Sequence, residues 1–308
     1  MKPRSRTAPQ LTAEELSAVR ARANALSIVT RKNVDSALSG NYRSAVLGRG
    51  VEFAELREYE PGDDVRSIDW NVTARAGRPF VKRFVEEREL SVLIVLDASA
   101  SHGFGSASAM KSQVAAEAAG TIAAAAIANT DRAGLMTFAS RVDRYVPPAK
   151  GTRNLSRILR TIVEPARESG AADAREPARM LARVFKRRSV MFVISDFLSE
   201  QGPGAFIDAL LPLTRLHDVI AVRIIDPRER ELPRAGLVEL EDPETGRTWL
   251  VDLSDTKTRE QYRARSESEG RDLSSAAARA GISLVTIETT QEPAAELNRF
   301  FSGRRRAR

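Results

Sequence analysis

Three oxygen-bearing side chains stand at alternate positions in SVLIVLDASAS, residues Ser91 to Ser101: Asp97, Ser99 and Ser101. The carboxylate ends an uninterrupted Val/Ile/Leu run. Such a run, without alternation, reads as a strand buried on both faces of a parallel sheet. A carboxylate at its end emerges at the carboxyl edge, where open α/β folds bind ligands. Hard oxygens from one tight loop suit Mg²⁺ or Mn²⁺. Asp and Ser are equally the preferred helix N-caps, so the loop alone leaves capping and metal binding both open. A second buried run, SVMFVIS from Ser189 to Ser195, also ends in a carboxylate, Asp196, and this tilts the balance toward a shared site.

The elements that must position these groups follow from the chain's patterning. Residues Leu11 to Gly40 read as helical, with Thr12 and Glu15 as a capping box. Residues 43–89 carry short apolar stretches, the turn signal EYEPGDD and the alternating PFVKRFVEE, and read as a small β-rich appendage. From Ser91 onward strands and helices alternate. Helices are expected over Ala107–Asn129, Leu155–Val163, Ala174–Lys186, Ala205–Leu216 and Thr256–Ala280. Strands are expected at AGLMTFA, SRVDRYVPP, HDVIAVRII and ISLVTIE. Two alternating runs around PETG predict a hairpin inserted at 236–253. The division is thus a tail and helix (1–42), the appendage (43–89), an α/β domain (90–301) and a basic tail (302–308). Alternating strands and helices predict a Rossmann-like parallel sheet with right-handed crossovers.

Composition narrows the chemistry. The chain has 308 residues, no cysteine and two histidines, His102 and His217. Disulfides and thiolate metal sites are excluded, and a multi-histidine zinc site has too few ligands. Both histidines read as non-catalytic, His102 in an exposed loop and His217 as structural. The net charge of +7 resides in Lys2, Arg4, Arg6, Arg304, Arg305, Arg306 and Arg308; removing those seven from the 48 Lys and Arg leaves 41, matching the 41 carboxylates. The body therefore has no net basic excess, and nucleic acid is not an expected partner. Four arginines in GRRRAR give about 4 kcal/mol at an anionic membrane, enough for transient contact and not for anchoring. The start, MKPRSRTAPQ, lacks the apolar stretch of a secretory signal, and no run approaches a membrane span, so a cytoplasmic location is expected.

Enzyme motifs fail on particular positions. In GFGSASAMKS, Met110 stands where a P-loop needs glycine before Lys111. GFGSAS ends on Ser108 rather than glycine, and Asp97 on the same turn would repel a pyrophosphate. Ser99 stands where a haloacid-dehalogenase-type phosphatase needs its second aspartate. No G-x-S-x-G elbow exists. Arg57, Asp63, Arg66, Asp69, Arg75 and Lys82 alternate in sign and read as internal pairs, while Trp70 and Phe84 read as core, with a partner-facing surface as the alternative for this stretch.

DASAS, DRAGLMTFAS and VISDF together resemble the von Willebrand factor A-type domain. That resemblance implies sheet order 3-2-1-4-5-6 and a metal-ion-dependent adhesion site. Its Mg²⁺ (or Mn²⁺) would be held by Asp97, Ser99, Ser101, Asp196 and a second-loop residue, Thr152 in KGTRNL, with Asn154 as the alternative. The stretch from Gly48, with Gly62, Asp63, Arg66, Ile68, Asp69, Trp70, Val81, Lys82, Phe84 and Glu87, resembles the bacterial domain-of-unknown-function-58 (DUF58) family, in which such segments precede a von Willebrand A-like domain. The resemblance implies a non-enzymatic adaptor or co-chaperone that works with a MoxR-type AAA+ ATPase and binds a partner's Asp or Glu through the ion. The alternatives are a hydrolase using the same ion to activate water and a nucleic-acid or membrane tether through the arginine tail.

Overall fold

In the computed structural model, Ser91–Asp97 forms the central strand of a six-stranded sheet. The structure describes residues 55–60, 63, 68, 70–83, 90–99, 104–105, 109–165, 172–199, 201–241 and 247–307. The expected helix at Leu11–Gly40 and the side chains of Ser101, His102 and Phe84 lie outside them. The strands are β1 (Glu55–Glu58), β2 (Phe80–Arg83), β3 (Ser91–Asp97), β4 (Arg132–Phe138), β5 (Val142–Ala149), β6 (Val190–Ser195), β7 (Asp218–Ile225), β8 (Leu237–Glu241), β9 (Thr248–Asp252) and β10 (Ser283–Glu288). The helices are α1 (Trp70–Ala76), α2 (Lys111–Ala128), α3 (Thr152–Val163), α4 (Arg175–Val184), α5 (Pro203–Thr214), α6 (Pro227–Arg230), α7 (Thr256–Arg279) and α8 (Pro293–Ala307).

The main sheet runs β10-β7-β6-β3-β4-β5. Counted along the chain within that sheet, this is the order 3-2-1-4-5-6. Every pairing is parallel except β4 with β5. The Val/Ile/Leu runs sit where continuous burial demands them, since β6 is buried along its whole length and β3 from Val92 onward. One face packs Val92, Ile94, Phe192, Ile194 and Val222 under α2 and α8. The other packs Leu93, Val95, Met191, Val193 and Ala221 under α4, α5 and α7. Helix α2 is almost entirely Ala, Ile and Val from Val114 onward because it is buried on most sides. A helix apolar all round belongs in a core.

The antiparallel edge strand β5 carries Pro147 and Pro148, which central strands exclude. A register shift between Ala133 and Leu135 accommodates them. A Cβ on Gly134 would lie 2.9 Å from the Pro148 ring, so only glycine fits there.

Outside the main sheet, β1 pairs antiparallel with β2, and β8 with β9 as the expected hairpin. Two expectations fail here. Trp70 is not core: it begins the short α1 and is 68% exposed. The basic tail is not a separate segment, because α8 runs through Gly303 to Ala307. Arg304 turns inward and donates through one Nη to both Asp218 oxygens at 2.6 and 2.7 Å. Burial of Phe301 draws that last turn onto the sheet. An arginine held this way cannot serve a tail tether.

Candidate functional site

Asp97 and Asp196 do meet at one rim. Leu96 pairs with Ile194 across β3 and β6, so the residues that follow, Asp97 and Ser195–Asp196, leave the sheet side by side. The Ser195 hydroxyl donates to Asp97 Oδ2 at 2.7 Å and accepts from the Phe197 N–H at 2.9 Å. The Ser99 N–H donates to Asp97 Oδ1 at 2.8 Å, closing the Asx turn its sequence favours. Phe197 takes a left-handed φ of 59°, uncommon for a bulky residue. Its burial beside Phe206, with ring centroids 4.9 Å apart, holds that conformation and fixes the direction of Asp196.

The rim is closed by a residue assigned no role from sequence. Lys111, first residue of α2, is 1% exposed. Its ammonium donates to Asp196 Oδ2 at 2.8 Å and to Glu229 Oε1 at 2.6 Å. Glu229 is set by a capping box on α6. Its other oxygen accepts from the Asp226 N–H, while Asp226 Oδ1 accepts from the Arg228 N–H and its Oδ2 from Thr289. A cation at a helix N-terminus opposes the helix dipole, and burial disfavours the charged form. Burial is the largest influence on Lys111 and lowers its pKa. The carboxylates of Asp196 and Glu229 outweigh it and leave the pKa raised above the usual lysine value. Lys111 is therefore an ammonium held by two carboxylates.

Thr152 lies elsewhere. Strand β5 runs against β4, so Val142 faces Phe138 at the carboxyl edge and Ala149 faces Ala133 at the amino edge. Thr152 opens α3 just beyond Ala149. Five strand steps separate the two edges here, about 17 Å. Asn154 is structural: its amide donates to the carbonyls of Ala133 and Ala149, pinning α3 to the amino edge. The segment after α3 is what returns to the carboxyl rim, where the Asp173 N–H donates to the Ala139 carbonyl. The expected five-ligand shell is thus not assembled. Asp97, Ser99 and Asp196 gather, Thr152 sits on the opposite edge, Ser101 lies outside the described residues, and Lys111 supplies the positive charge at Asp196. Among the described residues no group of three or more His, Cys, Asp or Glu side chains is placed to hold a metal. The residues present do not fit a divalent ion in the form the resemblance implies.

Two signals in the sequence pointed toward Glu229 and its support, though none toward Lys111. Asp226 is a third carboxylate ending a third buried strand, and Asp-Pro-x-Glu after it is a capping box with proline at the first helical position.

The match of the family model "Protein of unknown function DUF58" covers residues 55–272. The chain belongs to the DUF58 family. An uncharacterized protein of Mycobacterium tuberculosis (strain H37Rv) is 32% identical to it over 285 residues, covering 91% of this chain and 88% of that protein. An uncharacterized protein of Mycobacterium avium is 31% identical over 163 residues, covering 52% of this chain and 94% of that protein. Among solved structures, a conserved hypothetical protein BatB from Bacteroides thetaiotaomicron is similar in part, at 14% identity and a TM-score of 0.45, covering 70% of this chain and 99% of that one. The vWF domain of the type V pili tip protein Mfa5 from Porphyromonas gingivalis gives 12% identity and a TM-score of 0.30, covering 69% and 86%. The DUF58 chain has a mostly parallel α/β fold with helices on both faces of its central sheet. No helix among its described residues is long and apolar enough to cross a membrane.

Proposed function

We propose that this DUF58 chain is a non-enzymatic protein-interaction module that docks its partner on the carboxyl rim of the sheet. The observation that carries the reading is the pairing of a sealed charge cluster with exposed apolar side chains on the loops it anchors. Phe104 and Met110 stand exposed on the β3–α2 loop and Leu198 on the β6–α5 loop. The Phe104 carbonyl accepts from the Lys111 N–H, and the Leu198 N–H donates to Asp196. The ion cluster thereby holds the backbone beneath two of the three, and Met110 directly precedes Lys111. Apolar anchors on rigid supports are what binding hot spots require. A cytoplasmic MoxR-type AAA+ ATPase is the partner class that the family resemblance favours.

A second reading keeps the divalent ion. Asp97, Ser99 and Asp196 would hold Mg²⁺ or Mn²⁺ in a form of the chain where Asp196 is released from Lys111, and the ion would supply affinity for a partner's Asp or Glu. Binding of a nucleotide-free MoxR-type ATPase, measured by calorimetry with and without chelator, separates the two. The first reading expects affinity unchanged by chelation and at least tenfold weaker in a Phe104→Ser, Met110→Ser, Leu198→Ser variant. Affinity lost on chelation favours the second, and no binding by the unaltered chain defeats the choice of partner.

A further inference from the structure

A cavity of about 790 Å³ opens on the face of the sheet that α7 covers, between β7, β10, α6 and α7. Arg223 and Thr286 are register partners on β7 and β10, and both line it. Arg263 and Arg271 come from α7 and Arg230 from α6. Two carboxylates also line it, Glu231 and Glu267, so the lining carries a surplus of two positive charges. Glu267 is engaged by both Arg263 and Arg271, and Arg230 pairs with Glu288.

Arg223 differs from these three. It stands on an inner strand, burial lowers its pKa, and its Nε is buried without a hydrogen-bond partner. Glu229, Asp196 and Glu269 attract it, yet no ion pair forms with it among the described residues. A guanidinium taken partly out of water without an anion is costly. The helix facing it yields room in an unusual way. Gly270 interrupts the middle of α7, where glycine weakens a helix, and a Cβ there would sit 3.4 Å from Arg223 Nη1. An unpaired guanidinium, a surplus of two positive charges and a helix opened by glycine converge on one cavity.

We propose that this cavity binds a small phosphorylated ligand, with its phosphate on Arg223. Guanidinium forks match phosphate oxygens in geometry. A phosphomonoester carries about −1.5 to −2 at neutral pH, close to the lining's surplus. The volume falls within the roughly 300–1,000 Å³ of small-molecule sites, larger than one phosphate needs, so the ester is expected to bind more tightly than the free ion.

The test is calorimetric titration of the full chain with inorganic phosphate, ribose 5-phosphate and AMP at constant ionic strength, set by potassium chloride. At least one ester should bind tenfold or more tightly than inorganic phosphate. Arg223→Met should weaken that binding at least tenfold, and Gly270→Leu, which fills the cavity without changing charge, should do the same. Matched melting curves establish that both variants fold. Absence of binding by every probe, or an Arg223→Met chain that binds as the unaltered one does, overturns the proposal.

Discussion

The carboxyl rim and the α7 flank of this sheet handle a cation withdrawn from water in opposite ways. At the carboxyl rim Lys111 is held by two carboxylates, and nothing in its surroundings asks for a further ligand. On the α7 flank Arg223 lies on an inner strand with its Nε unpartnered and opens into a cavity. Arg304 falls between them, with one carboxylate at Asp218 and a buried Nη1 that lacks a hydrogen bond. The series runs from two directly paired carboxylates through one to none, with Asp196, Glu229 and Glu269 attracting Arg223 only from beyond ion-pair distance. It teaches that a charge buried for structure is recognisable by complete pairing, whereas an incompletely paired one marks a place where a partner is missing. In the functions proposed above, the rim would act through what its loops display, and the flank through what its cavity admits.

The comparison is tested most strongly at Lys111. Lys111→Met leaves Asp196 and Glu229 without their cation, and removing one member of a buried ion pair costs about 3–5 kcal/mol. Urea denaturation should show that loss. Adding Asp196→Asn and Glu229→Gln to the same chain should recover most of it, since the uncompensated charge is what destabilises. The Lys111→Met variant should also gain about 1.4 kcal/mol with Mg²⁺ at ten times its Kd, while the unaltered chain gains nothing. Equal stabilisation of both chains by Mg²⁺ would break the claim that the ammonium already fills this role.

Arg304→Ala should cost about 2 kcal/mol, less than Lys111→Met because one carboxylate rather than two is left behind. Its effect should be unchanged by phosphate esters. Arg223→Met should move the other way, raising stability by about 1 kcal/mol in ligand-free buffer, because methionine keeps the packing and discards an unpaired charge. A loss comparable to that at Lys111 would place Arg223 in the structural class and dissolve the distinction.

The framework of the sheet was legible because each inner strand is an unbroken apolar run, and the two carboxylates at the rim because each ends such a run abruptly. Lys111 was not legible. Lysine is seldom buried, and its partners lie 85 and 118 residues away, beyond any local pattern. Thr152 was misplaced for a topological reason. A single antiparallel strand, β5, delivers the following loop to the wrong edge, and the alternation in VDRYVPPA says that a strand is present without saying which way it runs. The arginine tail looked free because charge density is visible in sequence, whereas the Arg304–Asp218 pair depends on α8 continuing past Gly303. Trp70 shows the limit of residue type as a guide to burial.

His217 supplies the smallest and most specific check, because it is a buried base that escapes the cost of charge by staying neutral. Its ring sits edge-on to Phe185, with centroids 6.3 Å apart, and Nδ1 is buried without a partner. Burial lowers its pKa below the usual histidine value. The unfolded chain therefore binds this proton first as pH falls through about 6.5, and stability declines from there toward the folded pKa. Between pH 7.5 and 5.5 the unaltered chain should lose at most about 1.4 kcal/mol by this route, and His217→Phe should lose correspondingly less. The same interval should leave the effect of Lys111→Met unchanged, since the raised Lys111 pKa puts its loss of stability above about pH 10.4, where the unfolded lysine has already released its proton. A Lys111→Met penalty that changed between pH 7.5 and 5.5 would break the claim that the rim is a fixed ion cluster.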